Sequence, residues 1–169
     1  MKVHEQEMNS PLFEDIENLK PVIPSGSSDS AALDSVFELL NISGQPAPIA
    51  KLMLIPDAWS KKSKTLPKDH QQLFNFLNST MEPWDGPAAI AGTDNEWVIA
   101  ATDRNGLRPM RYTITKDKIL CAGSETGMVE LDEKKIISKG RLGPGDIIGV
   151  RIEKGKVFTN SQIKNFLAK

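Results

Sequence analysis

The sequence predicts an α+β fold with helices first and mainly antiparallel strands second. Two observations carry the prediction. Segments before residue 82 place apolar residues at three- and four-residue spacing, whereas those after it are short β-like runs between Gly, Pro and Asn turns. Between them lies residues 81–111, MEPWDGPAAIAGTDNEWVIAATDRNGLRPMR, around which the rest is organised. It holds two rigid turns, Pro83-Trp84-Asp85-Gly86-Pro87 and Arg104-Asn105-Gly106-Leu107-Arg108-Pro109, and two apolar runs of strand length, 88–91 and 97–101. The runs flank Thr93-Asp94-Asn95-Glu96, which predicts a hairpin with Asp94-Asn95 at its tip. Neither run alternates strictly, so both strands are expected to be covered on both faces, by another sheet and by helices.

Residues 1–8 are polar with good helix formers and read as the tail of a helix ended by Asn9-Ser10-Pro11. Residues 12–23 alternate weakly, and Pro21, Pro24 and Gly26 mark a loop leading to the next helix. Leu33, Val36, Phe37 and Leu40 then define an amphipathic helix, with Ser28 or Asp29 as N-cap and Gly44 just past its end. Residues 48–55 read as a second helix closed by Pro56-Asp57, with Leu52, Met53 and Ile55 in the core. Lys61-Lys62-Ser63-Lys64 lacks interleaved aromatics and reads as a solvated loop. Pro67 is placed at the first position of a third helix carrying Leu73, Phe74, Leu77 and Met81 on one face. Strands are predicted at 111–114, 118–122, 135–139, 147–152 and 156–158, with turns at Gly143-Pro144-Gly145-Asp146 and Glu153-Lys154-Gly155, and a last helix begins at Gln162.

The 169 residues have the length of one domain, and the formal charge of −1 gives no electrostatic case for nucleic acid or a membrane surface. Apolar runs fall far short of the roughly 20 residues that span a bilayer. The polar start, Met1-Lys2-Val3-His4-Glu5, lacks the apolar core of a secretion signal, and a cytoplasmic location is expected. The single cysteine, Cys121, excludes an internal disulfide and any all-cysteine metal site.

Asp29 is the most informative single residue, because it sits in a Gly/Ser loop at a helix start, where backbone N–H groups point outward unpaired. By residue chemistry alone it reads first as an N-cap, worth about 1 kcal/mol. Asp85 reads as a buried turn aspartate between Trp84 and Gly86. Arg104 and Arg108 have the chemistry of a carboxylate clamp, but an Asn-Gly turn needs no ligand to explain it. Cys121, in an apolar strand without a nearby histidine, reads as a small buried hydrophobe. His4 and His70 read as lone residues on exposed polar faces without ligand spacing. Gly123, Gly127, Gly140, Gly143 and Gly145 form neither a Rossmann nor a P-loop fingerprint.

The order of the longer motifs is more specific. Ser28-Asp29-Ser30-Ala31-Ala32-Leu33-Asp34, Met81-Glu82-Pro83-Trp84-Asp85-Gly86-Pro87, Asp103-Arg104-Asn105-Gly106-Leu107-Arg108-Pro109-Met110-Arg111-Tyr112, Gly123-Ser124-Glu125-Thr126-Gly127 and Lys139-Gly140-Arg141-Leu142-Gly143-Pro144-Gly145 succeed one another collinearly over nearly the whole chain. This succession resembles the class II (N-terminal nucleophile) glutamine amidotransferase domain of the glutamate synthase large subunit. The resemblance implies a four-layer α-β-β-α domain that hydrolyses L-glutamine to glutamate and ammonia, which then reaches 2-oxoglutarate in a separate domain carrying FMN and an iron–sulfur cluster. It implies a nucleophilic cysteine at residue one whose α-amino group is the base, with an arginine and an Asn-Gly pair binding the substrate carboxylate and the oxyanion. Met1-Lys2-Val3-His4-Glu5 resembles the family's helix just after that Asn-Gly segment. Residues 1–169 are therefore expected to form one incomplete domain, with no catalytic residue or cofactor site of its own, inert alone as a glutaminase. The expected partners are L-glutamine and the family's N-terminal segment or synthase domains. One site residue carries over: Asp29, with Ser28 beside it, matches the aspartate of the family's Gly-Gly-Ser-Asp-Ser loop that holds the substrate's α-amino group, Ser27 standing where the second glycine usually is. A non-catalytic amino-acid-binding or regulatory module is the alternative from another class.

Overall fold

A computed structural model describes residues 8–9, 11, 14–57 and 66–168. The N-terminal helix tail, His4, the start of the 12–23 segment and the Lys61-Lys62-Ser63-Lys64 loop lie outside these residues. The α+β fold is observed with helices α1 (Asp29–Ile42), α2 (Ala47–Leu54) and α3 (Lys68–Thr80), then strands β1 (Ala89–Thr93), β2 (Trp97–Thr102), β3 (Arg111–Thr115), β4 (Leu120–Gly123), β5 (Ile136–Arg141), β6 (Ile147–Arg151) and β7 (Lys156–Phe158), and finally α4 (Asn160–Leu167). The strands form a four-stranded sheet, β1-β2-β6-β7, and a three-stranded sheet, β4-β3-β5, with every pairing antiparallel.

Strand β2 explains the layering. Trp97, Ile99 and Ala101 lie on one face with Ala47 of α2, Ile147 of β6 and Ile163 of α4, whereas Ala100 packs with Ile148, Met110 and Leu142 toward the second sheet. The order is therefore helices, sheet, sheet. Burying a side chain such as Ile99 or Ile147, each at most 2% exposed, contributes about 1.5–3 kcal/mol. Helix α3 stands behind α2 and α4, packing Phe74 and Leu77 on Leu52, with half-buried Leu167 alongside.

The hairpin forms as predicted, with Asn95 at φ 70° in its tip. Asp94 does more there than turn the chain. Its Oδ1 accepts from Glu96 N (2.9 Å) and Trp97 N (2.7 Å), and its Oδ2 accepts from Ala47 N at the start of α2. Coverage on both faces holds for β2 from Ile99 to Thr102, Val98 being exposed, but not for β1, which alternates exposed and half-buried residues. Among the described residues β1 pairs only with β2, so it stands at the edge of its sheet there.

Other boundaries shift for local reasons. Lys118 takes a left-handed turn (φ 64°), so β4 starts at Leu120. Pro67 is the N-cap of α3 and not its first helical residue, while Met53 is half-buried. Helix α4 starts two residues early because the Gln162 side chain accepts from Thr159 N at 3.0 Å, closing a capping box. His70 is not exposed. It is 7% accessible, its Nε2 lies 2.8 Å from Asn165 Oδ1, and it meets the Phe74 ring edge-on.

The link from β2 to β3 carries the chain between the sheets, and Gly106 is its tightest point. Gly106 has φ 63°, and an added Cβ would stand 3.0 Å from Pro144 Cα. Gly106→Ala combines left-handed strain with a backbone contact that cannot rotate away, a loss of about 2 kcal/mol. A melting curve at neutral pH reads that loss as a lowered Tm.

Candidate functional site

The loop before α1 is shaped by few residues. Gly26 takes the left-handed step (φ 81°), so Ser27 needs no unusual backbone and donates its hydroxyl to Pro24 O at 2.8 Å. Ser28, not Asp29, is the N-cap, its Oγ accepting from Ala31 N at 3.2 Å. Asp29 is the first residue of α1 and is exposed. Its Oδ1 accepts from Ser30 N at 2.8 Å.

Facing this loop is the tryptophan turn. Trp84 N donates to Leu54 O at the end of α2 (2.7 Å), and its indole Nε1 donates to Asp29 O (3.1 Å). Together they enclose an open cavity of about 390 Å³ lined by Ser27, Ser28, Asp29, Glu82, Trp84 and Asp85 among others. Its polar wall is acidic, which suits a cationic group such as an ammonium. A second cavity of about 260 Å³ lies between α1, α2 and the edge strand β1, bordered by Ser30, Asp34, Lys51 and Ile90.

Asp85 is not buried. Its side chain is 71% exposed and pairs with Arg104 at 3.1 Å, because the Trp84 ring folds back over Gly86 and leaves the carboxylate outside. Arg104 is thus engaged within the chain, while Arg108 is exposed and contributes its backbone N–H elsewhere. Cys121 is half-buried with a free thiol, in β4 of the second sheet, well away in the topology from α1. The structure brings together Asp29, Ser28, Trp84 and Asp85, and ties Arg104 to them.

Two residues to which the motifs assign no role, Asp103 and Lys51, hold the site's supports. The carboxylate of Asp103, 2% exposed, accepts backbone N–H bonds from Ala88 (3.2 Å), Asn105 (3.0 Å), Leu107 (3.2 Å) and Arg108 (3.2 Å). Burial by itself raises its pKa, but these four bonds overcome that and hold it below the ordinary 3.8. The sequence signal was an aspartate two residues before an Asn-Gly pair, the position of an Asx-turn acceptor. Lys51 is 1% exposed and donates to Gly145 O at 2.8 Å. Burial pushes its amine down to about 8 against the opposing pull of Asp57. A lone lysine in the apolar helix APIAKLML was the signal there.

Among the described residues, no cluster of three His, Cys, Asp or Glu side chains is placed to hold a metal ion, and no helix is long and apolar enough to cross a membrane. The family model "Glutamine amidotransferases class-II" matches residues 1–169. The chain belongs to the class II glutamine amidotransferases, whose N-terminal-nucleophile hydrolase fold the two antiparallel sheets and their helices agree with. Within that class it matches the amidotransferase domain of glutamate synthase. It is 52% identical over 169 residues to "Glutamate synthase [NADPH] large chain" of Azospirillum brasilense, covering 99% of this chain and 11% of that one. The same large chain of Bacillus subtilis is 36% identical over 99% of this chain and 11% of its own length. "Glutamate synthase [NADH]" of Saccharomyces cerevisiae is 40% identical over 100% and 8%. The chain thus spans about a tenth of the length of the curated relatives it matches.

Two substitutions check the supports. Asp103→Asn keeps the shape but loses the charge and one acceptor oxygen, costing about 3 kcal/mol at pH 7. The native pKa is depressed, so the Asp103 contribution is complete above 3.8 and is lost as pH falls through the lower folded value. Denaturant titrations at stepped pH should show the gap between native and variant chains closing there. For Lys51 the folded chain binds fewer protons between about 8 and 10.5, so the burial penalty is relieved as pH rises through that window. Lys51→Met should therefore compare more favourably with the native chain at pH 7 than at pH 10, in paired denaturation curves.

Proposed function

We propose that this chain supplies the ammonium-binding side of a glutamine site in a class II glutaminase, with Asp29 as the carboxylate that takes the substrate's α-amino group and Ser28 as its cap. The observation that carries the reading is the position of Asp29, on a helix start facing an acidic-walled cavity of about 390 Å³. The reaction is hydrolysis of the glutamine side-chain amide to glutamate and ammonia, with ammonia passing to 2-oxoglutarate. Its nucleophile and oxyanion donors belong to the family's N-terminal segment. Cys121 does not replace them: an internal cysteine has no free α-amino group, and β4 stands in the other sheet. By itself the chain is proposed to be inert.

The way the halves join is set by β1. Its outer edge has no strand partner among the described residues, it reads AIAGT with neither charge nor proline, and it borders the 260 Å³ cavity beside α1. Such an edge is completed by another strand, and the partner proposed is the nucleophile-bearing segment. FMN and an iron–sulfur cluster belong, on this reading, to other domains of the longer enzyme. One cysteine cannot supply the several thiolates a cluster takes. A cytoplasmic location goes with that assignment.

Mixing the chain with the nucleophile-bearing segment should yield ammonia from L-glutamine, measured by coupled assay, and Asp29→Ala should lower kcat/KM about a hundredfold, as loss of a charge pair enclosed by the assembled halves does. No ammonia from the mixture counts against the assembly; undiminished release by the variant removes Asp29 from the site.

A further inference from the structure

We infer that Trp84 is the positioning residue of this site: its indole N–H, bonded to the Asp29 carbonyl, sets where the Asp29 carboxylate stands for the substrate's ammonium. This rests on the reading of Asp29 just given. Among the described residues, the other hydrogen bonds of Ser27, Ser28, Asp29 and Ser30 run to neighbours within four residues, so they shape the helix start locally. The Trp84 indole reaches Asp29 from 55 residues away, at 3.1 Å. Its own placement is determined at both ends. The backbone N–H is tied to Leu54 O at the end of α2, and the ring packs with the core cluster of Ile23, Leu33 and Leu54. The ring can fold this way only because residue 86 has no side chain, since a Cβ there would meet Trp84 Cη2 at 2.6 Å. The next residue, Asp85, pairs with Arg104, the neighbour of Asp103 in the crossover turn. A line of restraint thus runs from the buried Asp103 turn through Arg104 and Asp85 to Trp84 and on to Asp29.

The chemistry gives the side chain its reason. Asp29 is exposed in the first turn of α1, and an exposed carboxylate at a helix end, where the turn frays, loses affinity to the disorder it must give up on binding. Indole offers one N–H donor and no acceptor, so it holds a carbonyl without competing for the ammonium. The cavity then favours ligands with a primary ammonium over analogues that lack it.

The test uses the full chain, followed by NMR, with Trp84→Phe (ring kept, donor removed) and Asp29→Ala. In Trp84→Phe, amide hydrogen exchange of residues 28–31 should speed up about three- to tenfold, the range of one hydrogen bond, while β2 and β6 exchange as before. L-Glutamine should bind the variant about three- to tenfold more weakly, with unchanged affinity for glutaramate, the analogue without the α-amino group. Asp29→Ala should erase the preference for glutamine over glutaramate, and the double variant should be no weaker than Asp29→Ala. Unchanged exchange in Trp84→Phe overturns the inference, and so does an equal loss for both ligands, which marks a merely structural role. Asp29→Ala with native glutamine affinity, or no glutamine uptake by the native chain completed with the nucleophile-bearing segment, overturns the reading of Asp29 itself.

Discussion

The carboxylate of Asp103 is the interaction on which the rest of the structure depends. A chain that leaves one sheet for another must bury backbone N–H groups that no ladder satisfies, and each one left unpaired would cost on the order of 1–3 kcal/mol. Asp103 collects four of them on two oxygens. Its backbone works in the same direction: its carbonyl accepts from Gly106 N and Gly145 N, both 2.9 Å, and its N–H donates to Ala88 O at 3.0 Å. The start of the hairpin, the crossover turn and the Gly143-Asp146 turn are thereby one unit. A neutral side chain would have too few acceptors for this, which is why the charge is tolerated at such burial.

A second polar group sits beneath the helices. Lys51 donates to Gly145 O, Lys164 pairs with Asp57 at 2.5 Å, and Asp146 accepts from Gly143 N (2.8 Å) and Asn160 Nδ2 (2.7 Å). These contacts fasten α2 and α4 to the same turn that Asp103 holds from the other side. Two ammonium groups near Asp57 and Asp146 keep the charges compensated, although burial still depresses Lys51. The helices are thus fixed in rotation as well as in depth, something apolar packing alone specifies weakly. The end of α2 then presents Leu54 O to Trp84, and through it the framework reaches the Asp29 loop.

Much of the fold was legible in order. Leu33 and Val36 repeat at helical spacing and are buried, and the apolar runs around Asp94-Asn95 close as a hairpin. Membership in the class II amidotransferases was legible from the succession of motifs alone. The errors share one cause. Asp85 lay between Trp84 and Gly86 and looked buried, His70 lay among polar residues and looked exposed, and β1 looked covered because it is apolar. In each case burial depends on what the chain brings from far away: Asn165 to His70, Arg104 to Asp85, and no strand among the described residues to the outer edge of β1.

The sequence by itself determined the element types, the turns and the loop that presents Asp29, because spacing, capping and left-handed glycines act within a few residues. Only the tertiary structure decided that Trp84 reaches Asp29, that Arg104 answers Asp85, and that Lys51 is buried under the Gly145 carbonyl. Those bonds join residues 19 to 94 positions apart, and no local preference encodes such a pairing. It arises from two sheets stacking with helices over one of them, which sets the distances that hydrogen bonds and charges then settle.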